Sequence, residues 1–411
     1  MFSLFLKLVQ NNHFNRSSDE RKVLWWKPWL NDTALHKMAD LEIAKQLSLR
    51  NYQISLIVPM NNGKMIFSNN HSKINIIPLK IKFLPFISQF IRFILLSFFL
   101  PICVLVLKPN FLVAEPDISI LSLIPVYFFC KLKRIKIILD IRSVPVETFG
   151  FQGFMINLWF TVSVSLAKRF FDGITVITCL MKGEICDRFR IAKKIGVWTS
   201  GVSIDLFDPA KDKTQGLKLK NKLGLSSRFI VFYHGGFSAT RGLHQCVMAM
   251  ATIKKNYPDI VLFLLGSGPI TSDLRKLIRK EELEFNVIIH DPVDQKEIPA
   301  FISMCDVAIV PLPNNSFWRF QSPLKLLEYL AMEKAVIVTD IPAHRSVLGE
   351  NNCGYYLSSI NPSDIAEVID CAYVNKESLK YLGKNGRKIV EEKYTWKNVA
   401  KDLDNYLSSI K

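Results

Sequence analysis

Short, nearly continuous apolar runs alternate with longer amphipathic ones along almost the whole chain. Runs of this length, rich in Val and Ile, read as strands buried on both faces, and the stretches between them as helices. The first series is Val23–Trp26, Gln53–Val58, Lys73–Leu79, Phe111–Ala114, Ile135–Asp140 and Gly173–Thr178, with a helix over Ala34–Leu49. A second series follows at Phe229–Tyr233, Val261–Leu265, Val287–Ile289, Val307–Val310 and Val336–Val338. From Ser363 to Lys411 the pattern is helical. Strand–helix alternation of this kind predicts α/β architecture, with parallel sheets covered by helices on both faces.

Two such series in 411 residues predict two doubly wound, Rossmann-like domains facing a cleft, where ligands of such sheets bind. The expected layout is a loose extension over 1–20, a first domain over 21–208 and a linker over 209–225. A second domain is expected over 226–390, and a C-terminal helix over 391–411 packing back on the first domain. The linker is placed where the chain turns polar and lysine-rich, at 211–222.

Charge and hydropathy single out the first half. Residues 1–200 hold 26 Lys and Arg against 12 Asp and Glu, so most of the net charge of +17 lies there. The same half holds the apolar stretch Leu84–Leu107 and the aromatic-rich Phe151–Phe171. A basic, apolar surface suits an anionic membrane face better than nucleic acid, whose sites favour cations interleaved with stacking aromatics. Leu84–Leu107 is expected to pack on a sheet and dip into the interface, with Arg92 placed to snorkel; a true span or a fully buried core helix stays open. The N-terminus lacks a basic n-region and a cleavage site, so no signal peptide is read. Eight scattered cysteines form no metal-ligand spacing and suit a reducing cytosol. These features lead to the expectation of a cytoplasmic protein, peripheral on the inner face of the cell membrane.

Candidate chemistry sits at the ends of the second series. Tyr233-His234-Gly235-Gly236 leads through Arg241-Gly242 into a helix; glycines let backbone N–H groups approach a ligand oxygen, and Arg241 offers a planar fork for phosphate. Gly266-Ser267-Gly268-Pro269 ends the next strand, and Asp291-Pro292-Val293 another. Ser322-Pro323-Leu324-Lys325 opens a helix, with Ser322 read as its cap, Pro323 at its first position, and Lys325 and Glu328 on one face. An anion site beside a carboxylate suits a ligand with phosphates and hydroxyls, such as a nucleotide sugar. Neither the Walker pattern nor the full dinucleotide fingerprint is present.

These segments, with Ser200-Gly201-Val202 and Val336-Ile337, come in the order and spacing of a known group. From about Ile174 to Trp396 the chain resembles the GT-B glycosyltransferases, specifically glycosyltransferase family 4 (group 1). The resemblance implies that Gly235 and Gly236 line the donor diphosphate, Arg241 holds it, and Glu328 accepts from the ribose hydroxyls. The backbone of Ser322, Pro323 and Leu324 would lie at the donor sugar, with Gly266 and Gly268 on the nucleotide side. It also implies retention at the anomeric carbon. The chain departs from the pattern at Gly236, where many members carry Arg; Lys325 is read as the replacement cation. Phe320 stands where an acidic residue is usual, and Glu333 where glycine is. The family's histidine near Leu139 is missing, and Asp140, Arg142 and Glu147 are the acceptor-side candidates.

Arg241, Lys325 and Asp140 are therefore the catalytic candidates, without a cofactor and without a metal. The one DxD sequence, Asp402-Leu403-Asp404, reads as a solvated helix face. The expected function is transfer of a sugar from a nucleotide-sugar donor to a glycan or lipid-linked glycan in cell-surface polysaccharide or lipopolysaccharide biosynthesis. A sugar-nucleotide epimerase on the same fold and a non-catalytic membrane-associated scaffold are the alternatives.

Overall fold

The computed structural model describes residues 20–27, 34–60, 73–80, 87–145, 150–350 and 352–410. The extension read over 1–20 thus lies outside the described residues but for its last position, as do Glu147 and the start of the apolar run at Leu84. The chain forms two compact units. One comprises residues up to Thr199 together with Val399 onward, and the other Ser200–Asn398.

The first unit is a seven-stranded parallel sheet of β1 (Arg21–Trp26), β2 (Tyr52–Met60), β3 (Ile74–Lys80), β4 (Phe111–Ala114), β5 (Lys136–Ile141), β6 (Gly173–Val176) and β7 (Ile195–Val197). Its spatial order is β3-β2-β1-β4-β5-β6-β7. The second unit has six parallel strands: β8 (Phe229–His234), β9 (Ile260–Leu265), β10 (Val287–His290), β11 (Val307–Val310), β12 (Ala335–Thr339) and β13 (Gly354–Leu357). Their order is β10-β9-β8-β11-β12-β13. Both are doubly wound sheets, and each reverses its strand order once, between β1 and β4 and between β8 and β11.

Period-two alternation sorts the second core into two layers. Ile230, Phe232, Val261, Phe263, Ala308 and Val310 face the helix Leu324–Ala331 and its Leu326, Leu327 and Leu330. Val231, Tyr233, Leu262 and Ile309 face the helix Leu243–Ile253 and its Val247 and Met250. Strands buried on both faces are why the sequence shows unbroken apolar runs there. β7 and β13 escaped the sequence pattern: they are edge strands of three and four residues, the latter half-buried.

The lysine-rich stretch read as a linker is a helix, Pro209–Lys222, within the second unit. Asp208 caps it by accepting from the Ala210 N–H, and Pro209 takes the first turn, where no N–H is required. Gly216 lets it lie against the helix Ile298–Met304, since a Cβ there would come within 2.7 Å of the Ser303 side chain.

The C-terminal helix Trp396–Ser409 packs its end into the first unit. Leu403 and Leu407 are buried, and the Tyr406 hydroxyl accepts from the Ile174 N–H while donating to the Lys194 carbonyl. The Tyr406 ring lies on Gly196, where a Cβ would stand 2.4 Å from Cγ of the ring. Asp402 is exposed, as read, but Asp404 is not simply solvated: it accepts from the Tyr52 hydroxyl and lies within 4 Å of Arg21 and Arg50.

Among the described residues, one helix, Gly150–Phe170, is long and apolar enough to cross a membrane by length and composition. It is also the crossover from β5 to β6, and it buries Phe160, Val164 and Ala167. The helix Ile87–Leu107 buries Leu96, Leu100, Cys103 and Val104, and leaves Phe98 and Leu105 exposed.

Gly196→Val should displace the Tyr406 ring and cost about 1–3 kcal/mol, the usual range for overpacking. Urea unfolding measures it; unchanged stability would mean that the helix end does not rest on β7.

Candidate functional site at the carboxyl end of β8

The switch point of the second sheet brings together the Gly235–Gly242 turn after β8, the Gly266–Gly268 turn after β9 and the start of the helix Leu324–Ala331 after β11. The turns meet because glycines let them. Gly235 has φ +122° and Gly266 φ +143°, both in the left-handed half of the map that favours glycine. A Cβ at Gly266 would come within 2.1 Å of the Gly235 carbonyl oxygen.

His234 links the turn to the helix. Its Nε2 lies 2.8 Å from Glu328 Oε2 and its Nδ1 2.9 Å from the Tyr329 hydroxyl. Its backbone N–H donates to the same hydroxyl at 2.9 Å. The tautomer with its proton on Nε2 satisfies all three bonds: Nε2–H donates to the carboxylate, and the Tyr329 O–H donates to Nδ1 while accepting from the backbone. Burial pushes the Tyr329 phenol well above its ordinary value, so its O–H is a standing donor. Glu328 is buried, as a carboxylate can be when its oxygen is bonded.

Lys325 lies one turn earlier on the same helix. Its Nζ is buried without a hydrogen-bond partner among the described residues and stands 3.8 Å from the centroid of the Tyr233 ring. Burial pushes it well below the ordinary lysine value, nearby Arg241 adds to the fall, and Glu328 opposes it. Arg241 is half-buried in the turn, its guanidinium 5.1 Å from the Trp318 ring. Trp318 Nε1 donates to the Thr240 carbonyl, which ties the 314–321 loop to the turn. Phe320 ends the short 3-10 helix Trp318–Phe320 in that loop.

The structure thus brings Gly235, Gly236, Arg241, Gly266, Gly268, Lys325 and Glu328 to one edge, and corrects two details. Ser322 does not cap the helix. The cap position is Pro323, with φ −74° and ψ 106°, and the Ser322 hydroxyl instead accepts from the Ser200 N–H at 3.3 Å. Leu324 is the first helical residue. Nor are the N–H groups of the glycine turn all open to a ligand. Those of Gly235 and Phe237 donate to the Leu265 and Ser267 carbonyls, leaving Gly236 as the exposed apex. Sequence reasoning placed His234 at a strand end but gave it no partner; its position just before the paired glycines was the available signal.

The acceptor-side candidates lie in the first unit. Asp140 is fully buried, with Oδ1 accepting from the Thr175 hydroxyl at 2.7 Å and from Trp198 Nε1 at 2.9 Å. Its place inside the sheet is that of a structural acid and does not match the substrate-facing role read for it. Arg142 stacks on the Trp198 ring at 3.5 Å and donates to the Trp198 carbonyl. Arg142 lines a cavity of about 230 Å³ with Glu115, Trp159 and Phe160. At the β1/β4 switch point Lys27 is buried between Asp40, at 2.8 Å, and Glu115, at 2.5 Å. Burial alone would lower its ammonium, but the two carboxylates, with Asp140, outweigh it and hold it above the ordinary value. Among the described residues, no three His, Cys, Asp or Glu side chains cluster to hold a metal.

Residues 217–389 match the family model of glycosyl transferases group 1. Among solved structures, a glycosyltransferase from Rickettsia africae superposes on 95% of this chain and 99% of its own, with TM-score 0.74 at 17% identity. The Anabaena protein HepE in complex with UDP superposes on 95% of this chain and 100% of its own, with TM-score 0.71 at 15% identity. The chain has the GT-B fold, and the segment that matches the group 1 model lies in its second unit. Among curated proteins it is 27% identical to the putative glycosyltransferase YtcC of Bacillus subtilis over 59% of this chain and 62% of YtcC. It is 22% identical to a GDP-mannose-dependent phosphatidylinositol monomannoside mannosyltransferase of Mycobacterium tuberculosis, over 60% of this chain and 65% of the relative. Less than two thirds of the length of these curated relatives is thus matched. The matched segment falls within the second unit and contains both partners of the His234–Glu328 link.

His234→Phe leaves the Glu328 carboxylate buried without its donor. The expected loss in urea unfolding is about 1–3 kcal/mol, the cost of an orphaned buried acceptor. A loss within error would show that water replaces the ring.

Proposed function

We propose that the protein is a glycosyltransferase of family 4 type that moves a sugar from a nucleotide-sugar donor to a glycan or lipid-linked glycan. The observation that carries this reading is the arrangement at the β8/β11 switch point. Two basic side chains, Arg241 and Lys325, flank an exposed glycine apex, and a buried, positioned carboxylate, Glu328, stands one helical turn away. The match to the group 1 family and the nucleotide bound by the Anabaena neighbour support it.

In this reading Arg241 and Lys325 hold the donor diphosphate, while Gly235 and Gly236 let it approach the backbone. Glu328 accepts from the ribose hydroxyls. The bond from anomeric carbon to diphosphate breaks, and the leaving charge falls on the two cations and on the positive end of the helix Leu324–Ala331. Those groups could carry the departing charge without a metal, and the family resemblance favours retention at the anomeric carbon. The acceptor side passes from Asp140 to the cavity lined by Glu115 and Arg142. An epimerase is less well supported, because His234 is committed to Glu328 and Tyr329, and His290 Nδ1 to the Asp291 carbonyl.

The proposed setting is the cytoplasmic face of a membrane, in cell-surface polysaccharide or lipopolysaccharide synthesis. Phe98, Phe128, Leu132, Phe151 and Phe154 are exposed on the first unit, and Lys133 and Arg134 are exposed beside Leu132. Apolar side chains rimmed by cations suit anionic lipid.

Glu328→Ala should weaken nucleotide-sugar binding at least tenfold in titration calorimetry across UDP-, GDP- and ADP-sugars, while thermal unfolding reports whether the fold survives. Unchanged affinity in a folded variant would sink the donor assignment. In flotation with phosphatidylglycerol vesicles the intact protein should rise with the lipid at low salt, and Phe128→Ser with Phe154→Ser should stay behind. Recovery of the unaltered protein wholly in the soluble fraction would count against a membrane role.

A further inference from the structure

We propose that Lys325 is an uncharged amine in the empty site and takes up one proton as the donor diphosphate enters. Donor binding is then coupled to the protonation of this single side chain. The inference rests on the donor reading above and adds to it the charge state of the site.

Geometry carries it. The Lys325 Nζ is buried and has no hydrogen-bond acceptor. The Nζ lies over the face of the Tyr233 ring, 3.8 Å from its centroid. A cation–π contact does not replace the hydrogen bonds that a buried ammonium loses on leaving water, and such a group gives up its proton instead. The amine is aimed at the glycine turn: a Cβ on Gly235 would stand 3.1 Å from Nζ, in close contact with the tip of the lysine.

The groups facing Lys325 add to this. On the turn, Arg241 repels a second positive charge. On β8, Tyr233 offers its ring face, and burial pushes its phenol up to about 12, so it brings no negative charge. On the same helix, Glu328 is the one carboxylate among the described residues that favours the charged form of Lys325, and its Oε2 is bonded to His234. Burial is the largest of these influences and Arg241 the next, with only Glu328 opposing.

A nucleotide sugar reverses the balance. Its diphosphate brings two negative charges and several acceptors to Gly235 and Gly236, so the amine gains hydrogen bonds only if it is protonated. The Lys325 proton comes from solvent; no bond to the sugar changes at this step. Above the pKa of the empty site and below that of the occupied one, affinity should fall about tenfold per pH unit, the slope of one linked proton. An Arg at position 236 would carry its charge permanently. The Gly236 apex has room for it, since a Cβ there meets nothing within 4 Å.

The test is titration calorimetry with UDP-glucose, GDP-mannose and ADP-glucose in turn, in paired buffers of different ionisation enthalpy. The diphosphate of a nucleotide sugar is fully ionised near neutral pH and brings no proton change of its own. The unaltered protein should take up about one proton per donor bound near pH 7.5. Lys325→Met should bind at least tenfold more weakly with no uptake. Adding Gly236→Arg to it should restore affinity without restoring uptake. If Lys325→Met does not fold, Lys325→Arg supplies the comparison and should bind without uptake. Donor binding by the unaltered protein without proton uptake overturns the inference and leaves the donor reading intact. Uptake that persists in the Lys325 variants assigns the proton to His234 and Glu328 and also overturns it. Failure of all three sugars to bind removes both readings.

Discussion

The contact on which the second unit's site depends is the bond from His234 Nε2 to Glu328. A carboxylate buried to this extent must be bonded, and the ring that bonds it belongs to the last residue of β8. The Tyr329 hydroxyl bonds both the ring and the backbone of that residue. Two consecutive helix residues are thereby pinned to one strand end, which fixes the helix in rotation as well as position. Lys325 is three residues before Glu328, so its direction toward Gly235 follows from the same constraint. Gly242, at φ +70°, completes the frame, because a Cβ there would lie 2.2 Å from the Pro311 carbonyl oxygen at the end of β11.

The two units solve one topological problem with opposite electrostatics. Each reverses strand order beside its first strand, where the carboxyl ends of two strands diverge and leave room for polar groups. At the β1/β4 position the charges are mutually satisfied, Lys27 sitting between Asp40 and Glu115. At the β8/β11 position no such pairing is made: Arg241 and Lys325 stand together, burial disfavours the charged form of Lys325, and the nearby carboxylate is engaged elsewhere. A paired cluster holds a fold and resists change. An unpaired one is costly by itself and becomes favourable only with a ligand of the missing sign.

Much of this was legible in the chain. Buried parallel strands carry unbroken apolar runs, so most strands and both sheets could be read, and the ordered glycine, Arg and Ser-Pro-Leu-Lys segments located the site edge. The short edge strands β7 and β13 carry too little apolar pattern to be seen. The helix Pro209–Lys222 was read as linker because it buries little beyond Gly216. Ser322 precedes a proline, so it looked like a cap, but its hydroxyl meets Ser200, 122 residues earlier in the chain. His234 and Glu328 are 94 residues apart, and no local pattern announces such a pair. Asp140 was read as catalytic from its strand end; its burial depends on Trp198 and Thr175, which local sequence does not bring near.

The apolar surface of the first unit is not a by-product of its architecture. Both units are doubly wound sheets flanked by helices and face the same burial problem. Among the described residues, 13 of the 17 large exposed hydrophobic side chains nevertheless lie in the first unit, from Leu49 to Phe170. Two of the helices that carry them adjoin: Tyr127 of the helix Ile124–Leu132 packs edge-on against Phe170, at the end of the helix Gly150–Phe170. Phe128 at 82% exposed and Leu132 at 79% contribute almost nothing to the core. Side chains that do not help the fold, and that cost solubility when grouped, call for another surface to cover them. In the proposed membrane setting, the excess of Lys and Arg in the same half of the sequence would complement anionic lipid.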